Sequence, residues 1–103
     1  MRTCYVYIMA SNRKALYIGV TSSLTDRVVQ HKAKTLGRFS AQYGTDKLVW
    51  YEVHHSPLAA IAREKQLKSW RRRKKVELVE TTNREWRDLA EDLAKEQAAE
   101  PSP

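Results

Sequence analysis

Two runs near the start of the chain, Thr3-Cys4-Tyr5-Val6-Tyr7-Ile8-Met9 and Leu16-Tyr17-Ile18-Gly19-Val20, are dense in β-branched and aromatic residues and read as strands. The link between them, Ala10-Ser11-Asn12-Arg13-Lys14-Ala15, is short and mostly polar, so the two runs are expected to form an antiparallel hairpin. Alternation then sets Tyr5, Tyr7 and Met9 on one face of the first strand, and Tyr17 and Gly19 on one face of the second. Register decides whether those faces coincide.

Beyond the hairpin, helical and strand patterns alternate. Thr21-Ser22-Ser23 offers N-capping hydroxyls, with Asp26 three residues after Ser23 in the manner of a capping box, and Leu24 to Ala33 reads as a helix. Leu24, Val28 and the stem of Lys32 share a stripe, while Arg27 and His31 stand one turn apart on a common face. The stretch from Leu36 to Asp46 holds two glycines and reads as a loop, and Lys47 to Val53 as a third strand. Ser56-Pro57 is a helix start, since proline at the first helical position gives up only an N–H that has no partner there.

That helix is expected to run to about Trp70, with Ile61, Leu67 and Trp70 as its apolar side and Glu64 at the edge of it. A carboxylate so placed needs a cation or a donor, which points to a metal or ion-pair role; a surface salt bridge to Lys68 at i+4 is the competing reading. Arg71-Arg72-Arg73-Lys74-Lys75 closes the helix with five cations, favourable at a helix C-terminus. Val76 to Glu80 reads as a short further helix. Asn83 could cap a last one carrying Trp86, Leu89, Ala90, Leu93 and Ala94 on one side, and the tail from Gln97 to Pro103 is expected to be disordered.

At 103 residues and 42% apolar, the chain has material for one modest core, a single domain over residues 1–96. No apolar run approaches the roughly 20 residues that span a bilayer, and no signal-peptide pattern opens the chain, so a soluble, cytoplasmic protein is expected. The lone cysteine, Cys4, reads as a small buried residue. Charge is unevenly distributed: residues 1–75 hold 16 Lys/Arg and 4 Asp/Glu, net +12, whereas residues 76–103 hold 3 and 8, net −5. The basic part is the candidate surface for a polyanion.

The series Tyr5-Val6-Tyr7, nine residues, Tyr17-Ile18-Gly19, then Arg27, His31 and Glu64, resembles the GIY-YIG nuclease superfamily, in its short single-domain bacterial branch, over roughly residues 3–90. The resemblance implies an α+β fold, a small three-stranded antiparallel sheet flanked by helices in β-β-α-β-α-α order. It also implies hydrolysis of a phosphodiester with one divalent cation, Mg²⁺ or Mn²⁺, held by Glu64 as the sole protein ligand. Arg27 would then brace the phosphate, and Tyr17 or Tyr7 would position or deprotonate the attacking water with help from His31. The first motif reads Tyr-Val-Tyr in place of Gly-Ile-Tyr. Asn83-Arg84-Glu85-Trp86-Arg87-Asp88-Leu89 resembles an Asn-Pro-x-Trp-x-Asp-Leu ending of this branch, with Arg84 in place of proline; Asn83 would then match an active-site asparagine, and an N-cap explains it equally well.

The leading expectation is therefore a metal-dependent DNA endonuclease, with DNA favoured over RNA and Lys68, Arg71, Arg72, Arg73 and Lys74 contacting phosphates. A non-catalytic nucleic-acid-binding module, and a nuclease that works only beside a targeting partner, are the alternatives. No membrane role is expected.

Overall fold

The computed structural model describes residues 3–35 and 42–93. The expected tail and most of the expected loop at 36–46 lie outside them; within that loop, residues 42 and 43 are helical and Gly44, at φ 62°, ends the turn. Strands β1 (Cys4–Ala10), β2 (Leu16–Thr21) and β3 (Lys47–His54) form an antiparallel sheet in the order β2-β1-β3. Helix α1 (Leu24–Lys32) lies between β2 and β3 in sequence, and α2 (Pro57–Ser69) and α3 (Arg72–Thr82) come after β3.

The hairpin register opposes Tyr7 to Gly19 and Met9 to Tyr17, so the two expected faces do coincide. Its turn is held by Ser11, whose hydroxyl accepts from the N–H groups of Arg13 and Ala15 while Lys14 takes a left-handed φ of 62°. One face of the sheet packs Val6, Ile8 and Ile18 against Ala60 and Leu67 of α2, Val79 of α3, and Trp86. The other packs Tyr7, Met9 and Leu48 against Leu24 and Val28 of α1 and against Leu93. The domain thus has three layers with the sheet in the middle.

Several local expectations are corrected. Ser23 makes no side-chain cap, so the capping box with Asp26 does not form; instead the Ser23 N–H donates to Thr21 Oγ1 at 2.9 Å, turning the chain from β2 into α1. The buried stripe of α1 is Leu24, Val28 and His31, whereas Lys32 is displaced outward to Asp88. In α2, whose Ser56 cap accepts from Ala59 N–H at 3.3 Å as its sequence requires, the packed side is Ala60 and Leu67, and Ile61 is exposed. A face holding positions 60 and 67 also holds 64, so Glu64 sits on the packed side and not at its edge.

The five-cation run does not close α2. That helix ends at Ser69, Trp70 and Arg71 are extended (ψ 151° and 153°), and Arg72 to Lys75 open α3, which runs to Thr82 in place of the short helix expected over 76–80. Nor does Asn83 cap a last helix. It ends α3, and residues 83–89 run irregularly, with Trp86 at φ 58°, along the outer edge of β3. There a bulge leaves Val49 unopposed, and its carbonyl accepts from Asn83 Nδ2 at 3.1 Å. Leu89 N–H donates to Leu48 O, Leu48 N–H donates to Asp88 Oδ1, and Asp88 caps the helical turn that starts at Ala90. Burial opposes ionisation of Asp88, but its hydrogen bonds from Lys32, Ala90 and Leu48 outweigh that and hold the carboxyl below its ordinary range. The whole segment closes an edge that would otherwise offer unpaired backbone groups.

Candidate active site at the edge of strand β2

The hydroxyl pair comes from the hairpin. Tyr7, in the middle of the central strand, is 1% exposed, and its ring lies over Gly19 across the register. A Cβ at position 19 would stand 2.6 Å from both Cζ and Oη of Tyr7, so only glycine lets the ring lie there. Tyr17, two residues earlier on the edge strand, is half-buried, with its ring 6.2 Å from that of Tyr7 and 4.7 Å from that of His31. The glycine of the Tyr-Ile-Gly motif thus exists to seat the tyrosine of the first motif. Gly19→Ala is expected to cost about 1–3 kcal/mol of stability by overpacking and to push the Tyr7 ring away from His31. Urea unfolding together with the His31 ring signals in NMR measures both.

His31 enters from α1, fully buried, with Nε2 3.2 Å from the Tyr7 hydroxyl. Burial, with the Arg27 cation adding to it, pulls the imidazole down to about 4. It is therefore neutral at physiological pH. Burial also holds the Tyr7 phenol far above its ordinary value; Tyr17 and Glu64 add to that and Arg27 opposes it. This favours the protonated phenol and, of the two roles expected for Tyr7, positioning a water over deprotonating it. A side-chain hydrogen bond joins Tyr7 and Tyr17.

His31 also ties folding to pH. The unfolded chain takes up a proton at this residue near pH 6.5 and the folded one only near 4, so between those values the unfolded state holds more protons. His31's contribution to stability is complete above 6.5 and falls away as the pH drops toward 4. Urea midpoints measured across that window should decline, and His31→Gln should flatten the decline.

Arg27, on the α1 face it shares with His31, and Glu64, on α2, both act electrostatically on the Tyr7 hydroxyl. The Glu64 side chain is only 16% exposed, and Lys68 Nζ lies 3.4 Å from its Oε2. α2 and Tyr17 belong to opposite layers, and they meet at the outer edge of β2. A cleft of about 270 Å³ opens there, lined by Leu16, Tyr17, Ile18, Lys68 and Lys75. The expected site residues Tyr17, His31, Arg27 and Glu64 are thus grouped around Tyr7, the first two by ring contact and the other two through their charges. Asn83 is not among them. It sits across β1 from Tyr17, and both atoms of its amide are spent, Nδ2 on Val49 O and Arg87 O and Oδ1 on Arg87 N–H.

The cations divide into two sets. Lys68 and Lys75 line the cleft, and Lys75 was not singled out by the sequence, where it is one of five like neighbours. Arg71, Arg73 and Lys74 line a separate groove beside Trp70, over whose ring Lys74 Nζ sits at 4.4 Å and Arg63 at 5.4 Å. Arg73 is also paired with Glu77 at i+4. Cations in the first turn of α3 oppose the helix dipole, and that turn holds no acid. Arg72→Glu is therefore expected to stabilise the domain by about 0.3–1 kcal/mol. If the run contacts phosphates, the same change weakens DNA binding and lowers its salt dependence by about 0.9 log unit for each phosphate no longer neutralised. Thermal unfolding and filter binding at several salt concentrations check the two halves.

A divalent cation is testable against this donor set. Glu64 pairs with Lys68, which lines the cleft, and acts electrostatically on Tyr7, and the described residues hold no group of three or more His, Cys, Asp or Glu. A lone carboxylate such as Glu64 could hold only a hard ion that keeps most of its water and shares substrate phosphate, the chemistry of Mg²⁺ and Mn²⁺. Among the described residues, no helix is long and apolar enough to cross a membrane.

Comparison with known proteins gives the family and the fold. The UPF0213 protein of Haloquadratum walsbyi is 34% identical over 76 residues, 74% of this chain and 85% of that one. That of Natronomonas pharaonis is 35% identical over 75 residues, 73% and 88%. The solution structure of the UPF0213 protein BH0048 from Bacillus halodurans superposes with a TM-score of 0.55 at 26% identity, covering 84% of this chain and 92% of that one. The sequence model described as the GIY-YIG catalytic domain matches residues 3–77, a span that contains the hairpin, α1, β3 and α2. With that model matching most of its length, this chain belongs to the GIY-YIG family.

Proposed function

We propose that this protein is a metal-dependent endonuclease that hydrolyses the phosphodiester backbone of DNA at the β2 edge. The observation that carries the reading is the meeting of a nearly buried carboxylate, a guanidinium and two linked tyrosines in a region otherwise dominated by cations. Glu64 would hold the divalent cation, magnesium or manganese, which when bound would supply Lewis-acid stabilisation of a phosphate oxygen and a more acidic water. Arg27 braces the phosphate, its planar fork matching two oxygens as negative charge develops.

Tyr17 orients the attacking water. In the proposed relay behind it, His31, with Nε2 3.2 Å from the Tyr7 hydroxyl, donates to Tyr7, and Tyr7 donates to the Tyr17 oxygen. A donor fixed on that oxygen stabilises it whenever it carries negative charge, which is the condition for Tyr17 to take the proton of the water. Tyr7 and His31 act through Tyr17 as positioning residues.

The Glu64–Lys68 ion pair favours one alternative, because it satisfies the carboxylate without any metal: a basic module that binds nucleic acid and does not cut it. A gel of hairpin, flap, junction, duplex and single-stranded DNA, and of RNA, incubated with the protein in Mg²⁺, in Mn²⁺ and in EDTA, separates the two. Metal-dependent products support the nuclease. Retarded but intact DNA under every condition supports the binder.

A further inference from the structure

We infer that Lys68 is an exchangeable counter-ion, paired with Glu64 in the resting protein and transferred to the substrate backbone, opposite Lys75, when a divalent cation arrives. This rests on the nuclease reading and adds to it a phosphate subsite in the cleft beside Tyr17, together with a coupling between metal and nucleic acid.

Lys68 Nζ stands 3.4 Å from Glu64 Oε2, near the place a cation bound to that carboxylate would occupy, and two cations repel there. One of them must move. The Lys68 side chain is 56% exposed and carries a flexible stem, whereas Glu64 is 16% exposed and held on the packed side of α2. Lys68 is the group free to leave.

The place it can go is set by its neighbours. Lys68 and Lys75 line the same cleft, from α2 and α3, and Leu16, Tyr17 and Ile18 of the edge strand form the opposing wall. Two ammonium groups facing one small cleft repel when it holds only water and are relieved by an anion between them. A backbone phosphate fits that chemistry, and the adjoining tyrosine places it next to the phosphate under attack. The break between the helices at Trp70–Arg71 makes the arrangement possible, because α3 then presents Lys75 to the cleft while Arg71, Arg73 and Lys74 line the other groove.

The consequence is reciprocal linkage. Metal frees Lys68 for phosphate, and phosphate removes from Glu64 the charge that competes with metal, so each raises the affinity of the other by the same factor.

The test is Mn²⁺ binding followed by electron paramagnetic resonance, without nucleic acid, in the unmodified protein and in Lys68→Met, Lys75→Met and Glu64→Ala. Lys68→Met is expected to bind Mn²⁺ about 3–10-fold more tightly, the scale on which removing one nearby, partly screened cation acts. Lys75→Met should leave Mn²⁺ affinity unchanged. In EDTA, where Lys68 stays on Glu64, Lys75→Met should bind a DNA hairpin more weakly, with a salt dependence shallower by about 0.9 log unit for each phosphate left without its cation, whereas Lys68→Met should leave that slope unchanged. Mn²⁺ binding that needs Glu64 but is equal or weaker in Lys68→Met overturns the exchange alone. Binding indifferent to Glu64→Ala overturns the metal site itself, and the exchange with it.

Discussion

Glu64→Gln is expected to abolish metal-dependent cleavage while leaving DNA binding intact. Glutamine keeps the shape of the side chain and can still accept a hydrogen bond from Lys68, so the packed side of α2, with Ala60 and Leu67 beneath it, is undisturbed. Only the charge disappears. A neutral amide is a poor ligand for a hard divalent ion, and the described residues offer no acid cluster to replace it. Binding in EDTA should be equal or tighter than in the parent, because without a cation the carboxylate repels the phosphate it faces. Cleavage at the parental rate would remove Glu64 from the metal site.

Arg27→Ala is expected to lower the cleavage rate by about 10²–10³, the scale for removing one preorganised charge stabiliser from a transition state. Arg27→Lys should recover little, since a single ammonium cannot match two phosphate oxygens as the planar fork does. The substitution carries an independent signature. Arg27 helps hold the His31 imidazole neutral, so in Arg27→Ala the His31 titration measured by NMR should move upward from about 4. An unchanged His31 titration would mean that the guanidinium does not face the tyrosine–histidine group at all. A drop of only a few-fold in rate would deny it the phosphate.

The features legible in the sequence were chiefly those that local chemistry dictates. The strands are visible because β-branched and aromatic residues crowd them, and α2 begins where Ser56-Pro57 says it must, with the Ser56 hydroxyl accepting from Ala59 N–H. The break at Trp70–Arg71 has no such sign. Neither glycine nor proline marks it, and a cation-rich stretch reads as an ordinary helix end. Trp86, Leu89, Ala90 and Leu93 have helical spacing, yet long-range bonds from Asn83, Asp88 and Leu89 to the β3 edge prevail over periodicity across residues 83–89. Those bonds also account for Asn83 without any catalytic role.

The site residues were legible as a spaced set, but the division of labour among them was not. Two tyrosines of equal standing in the sequence become a buried ring and a cleft-lining one only once Gly19 is seen to lie under the first and β2 is seen to be an edge strand. Lys75 became distinct from its four neighbours through the orientation of α3. Glu64 could be suspected from its position on the helix; its nearness to Tyr7 is a property of the packed layers.

A single cation position shared by residues from β2, α1 and α2 is most directly tested by paramagnetic broadening of amide signals as Mn²⁺ is added to the isotopically labelled protein. The prediction is selective disappearance of the Tyr17, Arg27, Glu64 and Lys68 signals at low Mn²⁺, with Asn83 and Asp88 at the far edge of the sheet staying sharp, and no such pattern in Glu64→Ala. Broadening centred elsewhere, or the same pattern surviving in Glu64→Ala, would contradict it.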